Sequence, residues 1–174
     1  MSPPRTLRGA DASSPVPDSG IPLRTLVQEI VGLTATTMPP HVAADAPLIL
    51  IDVDRGHAVD ADPAAVRRIL DVLVRDAVAS ASAPAAASDA PLVREVVITS
   101  VRGPRSVEIE IADSGADSGD TIGMATAAAR TLVQRLGGEL RVYHCPEGGR
   151  AVTLAFPRRD AARQTAGAGL RQAA

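Results

Sequence analysis

The sequence predicts an α+β domain, a two-layer α/β sandwich with a mixed, mostly antiparallel sheet and helices on one face. Three observations carry this. Apolar residues alternate with a period of two in several short runs and recur at helical spacing in longer ones. Turn chemistry at Arg102-Gly103-Pro104-Arg105 and at Pro146-Glu147-Gly148-Gly149 joins consecutive strands as hairpins, and hairpin strands run antiparallel. The elements read helix, strand, helix, two strands, helix, two strands, which is not the strict alternation of a parallel α/β fold.

Residues 1–20 are rich in Pro, Ser, Asp and Gly and read as a disordered N-terminal tail. One domain is expected over residues 21–158. Within residues 22–33, Leu23, Leu26, Val27, Ile30 and Val31 lie on one helical face, and Pro22 suits a first turn. Pro39-Pro40 prevents continuation. Residues 48–53 (Leu-Ile-Leu-Ile-Asp-Val) form a strand. Arg55-Gly56 turns the chain, and His57 to Val59 is expected to return as a short partner strand.

Asp62 as N-cap and Pro63 at the first helical position open a helix to Ser80, with Val66, Ile69, Leu70, Leu73, Val74, Ala77 and Val78 on its apolar face. Residues 82–91 are an Ala/Pro/Ser loop. Residues 95–101 and 107–112 are the strands of the first hairpin. A helix over 123–136 stops at Gly137-Gly138. Residues 139–144 and 151–156 are the strands of the second hairpin. From residue 159 the Arg/Ala/Gly/Gln composition reads as a disordered C-terminal tail.

Composition excludes several function classes. Aromatic residues are limited to Tyr143 and Phe156, so the core is aliphatic and no stacking platform for bases exists. The formal net charge of −2 supplies no basic field for nucleic acid. All 18 basic residues are Arg, a bias that suggests a GC-rich bacterial genome. The single Cys145 forms no internal disulfide, consistent with a reducing compartment. No apolar run is long enough to span a membrane and no signal segment opens the chain, so a cytoplasmic protein is expected. There is no zinc-ligand spacing. Asp113, Asp117 and Asp120 in a Ser/Gly loop suggest Ca²⁺, but their spacing is not that of an EF-hand and no glutamate closes it.

The most informative stretch runs from Val107 to Asp117. Val107, Ile109 and Ile111 alternate with Glu108, Glu110 and Ala112, and Asp113 continues the apolar register. An ionised, unpaired carboxylate on a buried face costs several kcal/mol. Asp113 therefore needs donors. They come from the turn that follows, which it would cap, or from a ligand.

The order of elements and four short motifs resemble the ATP-binding domain of sensor histidine kinases, the GHKL or Bergerat-type fold, over residues 22–157. Asp62-Pro63 through Ala77 resembles the family's Asp-Pro opening and its N-box helix. Asp113-Ser114-Gly115 resembles the first glycine box. Gly123-Met124 through Gly137-Gly138 resembles the second glycine box and its helix. Pro146, Gly149 and Val152-Thr153-Leu154-Ala155-Phe156-Pro157 resemble the closing hairpin. The resemblance implies that Asp113 accepts from the adenine amino group, that Gly115 and Gly123 let the nucleotide approach the backbone, and that Asp76 stands where the family's Mg²⁺-binding Asn stands. Asp is a competent oxygen ligand for Mg²⁺; read without the family, Asp76 is a solvated carboxylate at the edge of the apolar stripe.

Several motif positions depart from the family. The position of the general base in hydrolysing relatives is Val72, and that of a frequent Lys is Ala79. Asp117 and Ala125 replace glycines. Arg150 replaces a Thr or Ser near adenine; it either reaches a phosphate, pairs with Asp113 or plugs the pocket. Only nine residues separate Asp113 from Gly123, leaving no room for the family's long lid. No phosphoacceptor-type helical hairpin is seen, and His41, His57 and His144 lie in loops or at a strand end.

The resemblance therefore implies a degenerate histidine-kinase-like domain in bacterial two-component-type signalling, with weakened or lost catalysis. Two readings stay open. In one, ATP or ADP with Mg²⁺ binds weakly through Asp76, Asp113, Gly115, Gly123 and Arg150. In the other, the fold is a nucleotide-free module that docks a histidine kinase or a response regulator. An anti-sigma-type serine kinase is a third reading, which the altered Asn and glycine positions disfavour.

Overall fold

The computed structural model describes residues 20–38, 46–83, 94–115, 123–145 and 148–158. The two expected tails, Asp117, Asp120 and His41 lie outside the described residues. The elements are β1 (Ile21–Pro22), α1 (Leu23–Thr37), β2 (Leu48–Asp52), β3 (Ala58–Val59), α2 (Pro63–Ser82), β4 (Glu95–Arg102), β5 (Ser106–Asp113), α3 (Met124–Arg135), β6 (Glu139–His144) and β7 (Arg150–Pro157).

Five strands form one sheet in the order β2-β4-β5-β7-β6. Strand β2 runs parallel to β4, and the other neighbours are antiparallel, with β4–β5 and β6–β7 as the two hairpins. The α+β class and the mixed sheet are those the sequence predicts. The returning segment at Ala58–Val59 behaves differently. It pairs with Ile21–Pro22 in a separate two-stranded sheet rather than with the strand before it. Pro22 is consequently extended and precedes α1 instead of sitting in its first turn.

Each helix follows from its residues. Asp62 accepts from the Ala64 amide at 3.2 Å, and Pro63 starts α2 without loss of a helical hydrogen bond. The eight buried positions of α2 are mostly three or four residues apart, from Val66 to Ala81. Helix α3 ends in a Schellman-type turn: Gly137 is left-handed, and the Gly138 amide returns to the Val133 carbonyl at 3.0 Å. The core lies between helices and sheet. Leu23, Val27 and Ile30 from α1 and Ile69, Leu70 and Val74 from α2 meet Ile98, Ile109 and Leu154 from the strands, all essentially excluded from solvent. Among the described residues no helix is long and apolar enough to cross a membrane.

Candidate functional site

Register positions the site. Strand β5 buries alternate residues through Asp113, as the pattern of Val107, Ile109 and Ile111 requires, so Asp113 enters the interior. In the β5–β7 ladder Asp113 stands directly opposite Arg150, the first residue of β7. Helix α2 crosses behind this end of the sheet and brings Asp76 and Ser80, one turn apart on the same face.

These four side chains form one network. The Ser80 hydroxyl donates to Asp113 Oδ1 at 2.8 Å, and the Gly115 amide donates to the same oxygen at 3.0 Å. Arg150 Nε donates to Asp113 Oδ2 at 3.3 Å. The Arg150 Nη2 group also pairs with Asp76 Oδ2. One guanidinium thus bridges two carboxylates. The Asp113 side chain is 2% exposed and that of Arg150 15%, so this contact is shielded from screening, while Asp76 at 29% lies at the rim. The donors that a buried Asp113 requires are all supplied by the chain itself.

Close approaches of the backbone hold the network in place. A Cβ on Gly115 would lie 2.1 Å from Ser80 Oγ and 2.7 Å from the Ser80 backbone. Gly115 is therefore packed against α2. Gly149 has φ +81°, and a Cβ there would lie 1.9 Å from the Asp113 carbonyl oxygen. Only glycine fits at that point, and it delivers the next residue, Arg150, to its register. Around Gly123 there is more room: a Cβ would come to 3.9 Å from Arg150 Nη1.

Of the residues singled out in the sequence, Asp76 and Asp113 pair with the Arg150 guanidinium, Gly123 lies beside it, and Gly115 binds Asp113 from the Ser80 side. Of the three roles open to Arg150, pairing with Asp113 is the one observed, and its bond to Asp76 is additional. Asp76, the expected Mg²⁺ ligand, is engaged with a cation, and no group of three or more His, Cys, Asp or Glu side chains among the described residues is arranged to hold a metal. Val72 lines a groove of about 430 Å³ between α2 and α3, beside Ile69 and Leu132. Sequence reasoning missed Ser80. Its signal was the four-residue step from Asp76, which places both on one helical face.

Solved histidine-kinase structures superpose on this chain. The catalytic domain of the histidine kinase ThkA, in a nucleotide-free form, matches with a TM-score of 0.62 at 16% identity, covering 80% of this chain and 94% of that one. A second nucleotide-free form of ThkA gives 0.61 at 15% identity, with 80% and 96% covered. The Acinetobacter baumannii histidine kinase AdeS gives 0.63 at 13%, with 80% of this chain and 66% of AdeS covered. No protein-family model and no curated protein matches the sequence. The chain therefore has the fold of histidine-kinase catalytic domains.

Proposed function

We propose that this chain is a histidine-kinase-fold module that no longer takes nucleotide and acts in two-component-type signalling by docking a histidine kinase or a response regulator. The observation that carries this reading is the Arg150 guanidinium, paired at once with Asp113 and Asp76. In the fold's nucleotide-binding members the carboxylate at the Asp113 position must accept from adenine, and the side chain at the Asp76 position must reach Mg²⁺. Here a cation faces both.

The residues present do not fit an adenine nucleotide with Mg²⁺. For adenine to reach Asp113, the Arg150–Asp113 contact must break in a site where screening by water is weak. For Mg²⁺ to reach Asp76, a guanidinium must be expelled from a charge-assisted pair. The close packing of Gly115 on Ser80 leaves this glycine against α2 rather than free to face a base. Val72 offers no general base for hydrolysis.

Calorimetric titration of the full chain with ADP and a non-hydrolysable ATP analogue, with and without Mg²⁺, tests the reading. The expected result is no saturable heat up to about 1 mM nucleotide, corresponding to a binding free energy weaker than roughly −4 kcal/mol. Mg²⁺-dependent binding that vanishes in Asp113→Asn would overturn it and restore the nucleotide reading.

A further inference from the structure

We propose that a second site, at the opposite end of the sheet, binds a phosphoryl group. It is an open cleft of about 620 Å³ formed where α1 begins, β2 and β4 end and the β2–β3 turn passes over them. That volume lies in the range of small-ligand sites. Ser100, on its wall, is opposite Ile109 in the β4–β5 ladder, whereas Asp113 is opposite Val96. Four strand residues, about 13 Å, therefore separate the cleft from the Arg150 network. The proposal is independent of whether nucleotide binds there.

Three arginines, Arg24, Arg55 and Arg102, line the cleft, Arg102 being engaged in a further interaction as well. Guanidinium forks match the oxygens of a phosphoryl group and stay charged at every working pH. Arg24 is held in place by donating from Nη1 to the Val53 carbonyl at 3.0 Å, a neutral acceptor that leaves its charge uncompensated. Arg55 is exposed and has no ion-pair partner among the described residues. His57 is fixed by its Nδ1 contact with Ser100 Oγ at 2.7 Å, and the same oxygen accepts from the Asp54 amide at 3.2 Å. When the Ser100 hydroxyl donates to Nδ1, the other ring nitrogen carries the N–H and faces a ligand as a donor.

Two carboxylates also line the cleft. Asp54 is turned back on its own loop, where Oδ1 accepts from the Gly56 amide at 2.6 Å. Asp52 is exposed, with no ion-pair partner among the described residues, and it opposes the charge of the arginines. Its presence gives the site opposite electrostatic handles: loss of Arg55 must weaken a dianion, and loss of Asp52 must strengthen it.

A phosphoryl group can arrive on a small phosphate ester or on a phosphorylated side chain of a protein. Titration of the ¹⁵N-labelled full chain with inorganic phosphate, with O-phospho-L-serine and with a phosphoserine peptide beside its unphosphorylated form separates the two. Saturable shifts are expected at Gly56, His57 and Ser100. Arg55→Gln, a change at an exposed residue, should weaken binding about five- to tenfold, and Asp52→Asn should tighten it. Equal affinity for phosphoserine and phosphopeptide identifies a small ester as the ligand. A phosphopeptide preference of about tenfold or more identifies a protein phosphate. The proposal is overturned if none of the probes gives saturable shifts up to about 20 mM, or if neither substitution changes them.

Discussion

At the scale of single residues, Arg150 decides what the site is. Removing it strands Asp113, a carboxylate whose side chain is 2% exposed. Arg150→Met should therefore lower stability by about 3 kcal/mol in urea unfolding, well beyond the effect of losing a surface pair. In a double-mutant cycle with Asp113→Asn, the coupling should be about 1–3 kcal/mol. Additive effects would show that the pair carries no interaction energy. The sequence showed that Asp113 would be buried, because its register follows from three alternating apolar residues. It left the choice of donor open. That choice depends on β5 lying beside β7, a non-local pairing that puts Arg150 opposite Asp113 and that no hairpin signal encodes. Ser80 was missed because its four-residue step from Asp76 gains meaning only once the acceptor's position is known.

At the scale of elements, long periodic segments were the legible ones. Helix α2 shows its start, its face and its cap in sequence alone, and Asp62→Ala should cost about 1 kcal/mol, measured as a lower urea midpoint with unchanged slope. The pairing of β1 with β3 was illegible for the converse reason, since two residues per strand give no periodicity to read. Edge strand β6 carries a local electrostatic feature. Arg141 grips Glu139 through Nε at 2.9 Å and Nη2 at 2.6 Å. Its hydrogen bond, reinforced by its charge, holds the Glu139 carboxyl below the usual carboxylate range. A lowered value means that the pair supports the fold above the unfolded-state value and stops doing so as pH falls through the folded one. An NMR titration of Glu139 should show its midpoint rise in Arg141→Ala. An unchanged midpoint would remove Arg141 as the cause.

At the scale of the whole molecule, fold and function separate. The chain keeps the architecture of histidine-kinase catalytic domains because that architecture rests on aliphatic burial and register, which tolerate 13–16% identity. The site rests on a few polar residues, and under the proposed function a cation stands there in place of adenine and metal contacts. The central claim is that this ion-paired arginine stays in place in the presence of nucleotide. Its Nε–H resonance reports the bond to Asp113 directly. In a titration of ¹⁵N-labelled protein with ADP and Mg²⁺ to about 5 mM, the Arg150 Nε–H signal should keep its position and intensity. A saturable shift, or replacement by a new signal with solvent-like exchange, would mean that nucleotide displaces the arginine, and the domain would have to be read as an ATP-binding one.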